Sequence, residues 1–158
     1  MLGRPLVFLD VDGPLIPFRA RTVGAAPPAP DGGNPLLHRI DPEDGRRLRK
    51  LPADLVWATT WMDEANEVVA PRLGLPPLPV VDWPDEAPLP GLHWKTAFLV
   101  TWAAGRSFVW IDDELTDNDR RWVAAHHPGR ALLHRVDGNR GLTDADFFTV
   151  GAWLMIHG

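Results

Sequence analysis

The stretch PLVFLDVDGPL, residues 5–15, joins a short apolar strand to a pair of acids. Four consecutive apolar residues, 6–9, are followed by Asp10 and Asp12 and then by a turn. A continuous apolar run is typical of a strand in a parallel sheet that is covered on both faces. Parallel α/β sheets bind their ligands at the carboxyl ends of the strands, so the two carboxylates are expected at a ligand site.

The rest of the chain alternates further apolar runs with helical patterns. Strands are predicted in DLVWATT (54–60), SFVWIDD (107–113) and RALLHRVD (130–137). Helices are predicted in residues 40–51 with Asp41 as N-cap, in 61–74 closed by Gly74, and in 94–104, 117–127 and 144–157, the last capped by Thr143 and Asp146. Strands that alternate with helices predict the α/β class, with a doubly wound parallel sheet.

The composition limits the classes of protein to consider. A chain of 158 residues can bury a core without disulfides, so residues 1–158 are interpreted as a single domain. The absence of cysteine excludes disulfides, thiolate metal sites and a cysteine nucleophile, and we expect a cytoplasmic location. No apolar run has membrane-spanning length, so no membrane partner is expected. A formal charge of −5 argues against a stable nucleic-acid clamp but does not exclude a nucleic-acid end as substrate; oligomeric state is not indicated.

Two proline-rich insertions interrupt this pattern, at about residues 13–40 and 75–92. The first contains VGAAPPAPDGGNP (23–35), which cannot hold a helix or a central strand and is predicted to be an exposed loop. A short hairpin or flap is predicted over residues 15–23. The second insertion is predicted to hold at most a very short strand around Val80.

Polar side chains follow three of the predicted strands. They comprise four carboxylates and two hydroxyls, from Asp10, Asp12, Thr59, Thr60, Asp112 and Asp113. Each alone is an ordinary turn or cap residue, but three such strand ends meet at one edge of a parallel sheet. Acids that close repel each other unless a cation neutralises them, and Mg²⁺ prefers such oxygen ligands. Acid ligands, a hard cation and a basic residue together suit phosphoryl transfer.

Four segments in order along the chain resemble the motifs of the haloacid dehalogenase-like (HAD) superfamily. DVDGPL resembles the first motif, VWATT the second, Lys95 in HWKTAFLV the third, and VWIDD the fourth. Pro14 stands where Thr or Val is commoner. The resemblance implies a Rossmannoid fold, and FLDVDGPLIPF, VWATTW and GLTD are similar to the small HAD domains associated with bacterial RNA-repair proteins.

The resemblance also implies catalytic roles for the first two acids. Asp10 would attack phosphorus and become an aspartyl phosphate, while Asp12 would protonate the leaving oxygen and later activate water. Dehalogenases lack the second acid and transport ATPases have Thr there, so Asp12 favours a phosphatase. Mg²⁺ would be held by Asp10, the backbone carbonyl of Asp12 and Asp112, with Asp113 in direct or water-mediated support.

Three further positions are expected to bind the phosphate. Thr59 would donate to a phosphate oxygen, and Thr60 would do so if the strand ends one residue later. Lys95 would offset the charge of the phosphate and of Asp10; the alternative is an exposed lysine in the first turn of a helix. Arg19, in the first insertion, could contact a phosphate chain.

The substrate class follows from the size of the insertions. Neither insertion is long enough for a folded cap domain, so the expected cap is minimal or absent. An open site would admit a polynucleotide end or a phosphoprotein. It would admit a nucleotide if a partner covered the site. Trp61, Trp83 and Trp94 could stack on a base, although core packing is the commoner role of Trp. We therefore expect a Mg²⁺-dependent phosphatase, with a non-catalytic HAD-like binding or regulatory domain as the alternative.

Overall fold

The computed structural model describes residues 3–19, 35–85 and 89–158. Within these ranges strands and helices alternate along the chain. The strands are β1 (Leu6–Leu9), β2 (Asp54–Trp57), β3 (Phe108–Asp112) and β4 (Ala131–Arg135). The α-helices are α1 (Pro42–Arg49), α2 (Ala70–Leu73), α3 (Thr96–Ala103), α4 (Asp117–His126) and α5 (Asp144–His157), with a 3₁₀ helix at Pro35–Arg39 and a π-helix at Ala65–Val69.

The four strands form one parallel sheet in the order β2-β1-β3-β4. The register pairs Leu6 of β1 with Asp54 of β2 and with Phe108 of β3. The predicted α/β class and parallel sheet are therefore confirmed. Because all four strands run in the same direction, the polar residues after β1, β2 and β3 lie at the same edge of the sheet.

Apolar layers cover both faces of this sheet. Side chains of β1 alternate between the layers: Val7 and Leu9 belong to one, Leu6 and Phe8 to the other. Helices α1, α2 and α5 contribute to the first layer, and α3 and α4 to the second. This two-sided burial explains the continuous apolar runs and confirms that the sheet is doubly wound. In the part of the chain that the structure describes, no helix combines the length and the apolar character that a membrane span requires.

The helix predicted over residues 61–74 has a different form in the structure. Residues 61–63 form turns, and the π-helix Ala65–Val69 runs directly into α2. Pro71 has no backbone N–H with which to continue an α-helical ladder, and wider π-type bonds such as that from Ala70 N–H to the Ala65 carbonyl precede it. The predicted end at Gly74 is confirmed, since this residue has a φ of 69°.

The insertions add little regular structure to the sheet. Val80 forms a single bridge with Trp57, so the very short strand predicted there is confirmed. Asp12 forms a bridge with Ile16, and the Gly13 N–H donates to the Ile16 carbonyl, which closes the turn after β1. Most of the predicted loop 23–35, and the end of the predicted flap, fall outside the described residues.

A close contact between two helices gives a prediction about stability. A Cβ on Gly45 of α1 would lie only 1.8 Å from the Leu73 carbonyl oxygen of α2, so Gly45→Ala should lower the free energy of unfolding by about 2 kcal/mol or more. Gly151 of α5 is the matched control, because its Cβ would meet nothing closer than 3.8 Å and Gly151→Ala should raise stability by about 0.5–1 kcal/mol. Urea denaturation measures both. Stabilisation by Gly45→Ala would contradict the packing of α1 on α2.

Candidate active site

A buried lysine connects the carboxyl ends of the three strands β1, β2 and β3. The Lys95 ammonium lies 3.1 Å from Asp10 Oδ1, directly after β1, and 3.0 Å from Asp112 Oδ2, at the end of β3. It also donates to the carbonyl oxygen of Ala58, directly after β2, at 2.8 Å. Lys95 is only 3% exposed, so the alternative of a solvent-exposed helix residue is wrong. One cation therefore holds two acids and a backbone carbonyl together.

The two acids beside this lysine differ in pKa. Burial raises the pKa of Asp10 to about 8; the charge of Lys95 opposes the rise and that of Asp112 adds to it. For Asp112, burial acts in the same direction, but Lys95 outweighs it and the pKa is lowered. Burial alone would lower the pKa of Lys95, yet the two carboxylates together keep it above its usual value. The lysine is therefore charged, and the negative charge concentrates on Asp112.

A third carboxylate completes an acidic cluster. Ligand atoms of Asp10, Asp112 and Asp113 all lie within 4.8 Å of one another. Burial, followed by the charge of Asp112, raises the pKa of Asp113 to about 6. Gly13 packs against this residue, because a Cβ there would lie 2.7 Å from the Asp113 carboxyl carbon, and its φ of 99° also suits glycine.

These donors fit a hard divalent cation. All three are carboxylate oxygens, the kind of ligand that Mg²⁺ prefers. The single ammonium of Lys95 cannot neutralise three acids. Burial is the main cause of the raised pKa of Asp10 and of Asp113, and the charge of Asp112 adds to it in both cases. A bound divalent cation would remove this repulsion and favour the ionised form of each acid.

The second acid of the DVD motif has a different environment. Asp12 is half-buried, and its Oδ2 accepts a hydrogen bond of 3.1 Å from the indole Nε1–H of Trp61. The carboxylate is thereby oriented by a side chain of the turn that follows β2. The sequence predicts core packing or stacking on a base for Trp61 and not this hydrogen bond, because no sequence spacing indicates a contact between residues so far apart in the chain.

The acids open into a cavity of about 160 Å³. Its walls come from the ends of β1 and β3, the turn after β2 and the start of α3, and the lining residues are Asp10, Asp12, Phe18, Thr60, His93, Trp94, Lys95, Asp112, Asp113 and Glu114. Every predicted catalytic and metal-binding residue except Thr59 lines this cavity. Arg19 is exposed and does not line it.

The two threonines have separate positions. Thr59 is fully buried, and its hydroxyl accepts from the Trp61 backbone N–H at 3.1 Å, while its carbonyl accepts from Trp83 Nε1. Thr60 is exposed and faces the cavity. Thr60, which the sequence analysis gives as the alternative to Thr59, is therefore the threonine that is accessible to a ligand in the cavity.

Three residues of the cavity wall were missed in the sequence analysis. Phe18 and Glu114 flank the two acidic motifs, and His93 precedes the predicted lysine by two positions. His93 Nδ1 accepts from the backbone N–H of Lys95 at 3.1 Å, and Nε2 lies 3.4 Å from Glu114 Oε2. His93 thus fixes the turn that carries Lys95 into the cluster. In the sequence, its position two residues before Lys95 is the one feature that could have indicated this role.

Four of the eight tryptophans lie in the core or at the cavity. Trp57 and Trp110 are fully buried in the two apolar layers, as core packing predicts. Trp94 lines the cavity, and Trp83 packs edge to face against it with ring centroids 4.8 Å apart. Aromatic side chains therefore form part of the cavity wall as well as the core.

Comparison with known proteins gives one match. The family described as "HAD domain in Swiss Army Knife RNA repair proteins" matches residues 6–147. No curated protein and no solved structure matches the chain. The matched range includes every acid and base that lines the cavity, from Asp10 to Glu114.

The raised pKa of Asp10 predicts a pH-dependent stability in the presence of EDTA. A carboxyl group with a pKa of about 8 when folded and near 3.8 when unfolded stabilises the protein at low pH, and this contribution is lost as the pH rises from about 4 to 8. Asp10→Asn removes this pH dependence, so the variant should unfold less readily than the wild type at pH 8, by up to about 5 kcal/mol. The difference should shrink towards pH 4.5.

Urea denaturation at pH 4.5, 6 and 8 measures this effect. Asp63→Asn, at an exposed position, is the control and should follow the wild type at each pH. A difference between Asp10→Asn and wild type that stayed constant across this range would show that Asp10 ionises normally.

Proposed function

The chain belongs to the family of HAD domains in Swiss Army Knife RNA repair proteins, and from this premise we propose that it is a Mg²⁺-dependent phosphomonoester hydrolase. The reaction would pass through an aspartyl phosphate on Asp10. The observation that carries the proposal is the joining of Asp10 and Asp112 by one buried lysine, with a second acid, Asp12, on the same cavity. A domain that only binds phosphate does not need a second acid for proton transfer.

Asp10 is the proposed nucleophile. Its Oδ1 accepts hydrogen bonds from the Val11 backbone N–H at 2.9 Å and from Lys95, which fixes the carboxylate at the end of a rigid buried strand. Among the described residues, Oδ2 has no hydrogen-bond partner. This oxygen is the one that we propose attacks phosphorus.

Mg²⁺ would be held by Asp10, Asp112 and Asp113, with the Asp12 carbonyl as a further expected ligand. When bound, the ion supplies positive charge that stabilises the transferring phosphoryl group and lowers its repulsion from Asp10. Lys95 adds a second positive charge at the same carboxylate. We propose that Thr60 donates to a phosphate oxygen, and that buried Thr59 positions the turn that carries Thr60.

Asp12 is the proposed general acid and base. In the first step an Asp10 oxygen bonds to phosphorus, the ester P–O bond breaks, and Asp12 gives its proton to the leaving oxygen. In the second step Asp12 takes a proton from water, the water oxygen bonds to phosphorus, and the Asp10–phosphorus bond breaks. Inorganic phosphate leaves, and both carboxyl groups return to their starting states.

The proposed substrates are phosphorylated nucleotides or polynucleotide ends. Within residues 3–19, 35–85 and 89–158, the segment 75–92 forms no helix and no folded cap domain covers the cavity. The family description places such domains in RNA repair proteins, which favours nucleic-acid ends over other phosphate esters. No membrane partner is proposed, and the absence of cysteine supports a cytoplasmic location.

Replacement of the nucleophile tests the proposal directly. Asp10→Asn keeps the shape of the side chain but removes the attacking anion, so Mg²⁺-dependent hydrolysis of nitrophenyl phosphate should fall to the level of the buffer blank. Beryllofluoride with Mg²⁺, a mimic of the aspartyl phosphate, should raise the melting temperature of the wild type and leave that of the variant unchanged. Asp63→Asn should behave as wild type in both assays. If the wild type hydrolysed none of a broad panel of phosphate esters and beryllofluoride did not raise its melting temperature, the alternative of a non-catalytic binding domain would be favoured.

The contact between Trp61 and Asp12 tests the acid–base step. Asp12→Asn should slow hydrolysis about 10²–10⁴-fold, with a smaller loss for nitrophenyl phosphate than for an alkyl phosphate, because the better leaving group needs less protonation. Trp61→Phe should cost about tenfold, since it removes one hydrogen bond to a charged group.

A double-mutant cycle separates this positioning role from a purely structural one. If Trp61 acts through Asp12, Trp61→Phe should have no further effect on kcat in the Asp12→Asn background. Trp122→Phe, which replaces an indole stacked on His126 by a phenyl ring, is the aromatic control and should leave kcat unchanged. If the losses in kcat from the two substitutions were additive in the double variant, Trp61 would not act through Asp12.

A further inference from the structure

A second groove continues from the catalytic cavity. It has a volume of about 480 Å³ and is lined by residues 135–139 together with Phe18 and Asp113. Phe18 and Asp113 also line the catalytic cavity, so the two spaces share a wall. A ligand whose phosphate reached Asp10 would extend along this groove. Its volume lies within the range that small-molecule ligands occupy in proteins.

An exposed aromatic ring stands at the junction of the two spaces. Phe18 is 53% exposed, yet its backbone is fixed on both sides: its N–H donates to the Gly138 carbonyl at 2.8 Å, and its carbonyl accepts from Arg39 at 2.9 Å. The ring packs on Gly138, where a Cβ would lie 2.5 Å from Phe18 Cε2. Phe18 is therefore an apolar surface that the fold holds in place and leaves open to solvent.

The groove is also lined by a positively charged residue. Arg135 is the last residue of β4 and is paired in register with Asp112, which places it beside the acidic cluster. Its side chain is exposed and has no ion pair with any residue in the described ranges. The acid next to it in the groove, Asp137, is engaged in a turn, since its Oδ1 accepts from the Asn139 backbone N–H at 3.0 Å. Arg135 thus remains available to an anion.

We propose that this groove, with Phe18 and Arg135, binds the nucleotide adjacent to the terminal phosphate of an RNA strand. The base of that nucleotide stacks on Phe18, and its phosphodiester pairs with the guanidinium of Arg135. An aromatic platform beside a free arginine is the combination by which proteins hold single strands without reading their sequence. The inference rests on the proposed phosphatase activity, because the terminal phosphate must occupy the cavity of Asp10.

The test compares a substrate that fills the groove with one that cannot. The probes are uridine trinucleotides with a 3′- or a 5′-phosphate, nitrophenyl phosphate, and a phosphoserine peptide, each assayed with Mg²⁺. Phe18→Leu and Arg135→Gln should each lower kcat/KM for the better trinucleotide about tenfold more than for nitrophenyl phosphate. Phe148→Leu and Arg46→Gln, at exposed helix positions outside both spaces, are the controls and should not change this ratio.

Equilibrium binding provides a readout independent of turnover. Fluorescein-labelled trinucleotide should bind the Asp10→Asn protein, and Phe18→Leu in that background should weaken binding about tenfold. Arg135→Gln in the same background should make binding less sensitive to salt, because one phosphate contact is lost.

The outcomes separate this inference from the proposed function. Equal losses on trinucleotide and nitrophenyl phosphate in both variants would overturn the nucleotide subsite and leave the phosphatase intact. If the phosphoserine peptide were hydrolysed with the same kcat/KM as the trinucleotide, and Phe18→Leu lowered both values equally, the assignment to RNA would be overturned. If the wild type hydrolysed none of the probes, the proposed function would be wrong. If neither Phe18→Leu nor Arg135→Gln changed the binding of the trinucleotide, the nucleotide subsite would be wrong as well.

Discussion

The electrostatic balance around Lys95 is the constraint on which the rest of the site depends. Two carboxylates and a carbonyl oxygen from three strand ends converge on one buried ammonium. Without it, the acids of β1 and β3 would repel each other in a medium that screens charge poorly. With it, one acid is fully ionised while the other has a raised pKa, and the cluster still lacks positive charge. The three carboxylates of this cluster are donors that fit a divalent cation.

The parallel sheet explains how residues far apart in the sequence reach this balance. In the part of the chain that the structure describes, apolar layers cover both faces of the sheet, so charged groups of the central strands lie at the strand ends. The first strand supplies two acids, and its central position puts them between the threonines after β2 and the acids after β3. The cavity that the acids line and the adjoining groove both lie at this edge, and Phe18 lines both of them.

Much of this arrangement could be predicted from the sequence. Apolar runs followed by acids predicted the strands, their direction and the edge at which Asp10, Asp12 and Asp112 meet, because a parallel sheet leaves few alternatives. Contacts between distant loops carry no periodicity, so neither the hydrogen bond from Trp61 to Asp12 nor the position of Phe18 was predictable. The choice between Thr59 and Thr60 depended on where β2 ends, and strand ends are the least certain part of a prediction from sequence.

The indole of Trp61 also gives the site an optical signal. The sequence has eight tryptophans and no tyrosine, so its intrinsic fluorescence comes almost entirely from indole rings. Trp61 donates to a carboxylate, and Trp94 borders the same cavity with the Lys95 ammonium 5.5 Å from its ring centroid. Two emitters therefore sit within the electric field of the acids. We expect a change in charge at this edge of the sheet to alter their emission, which can be followed in the native protein without a label.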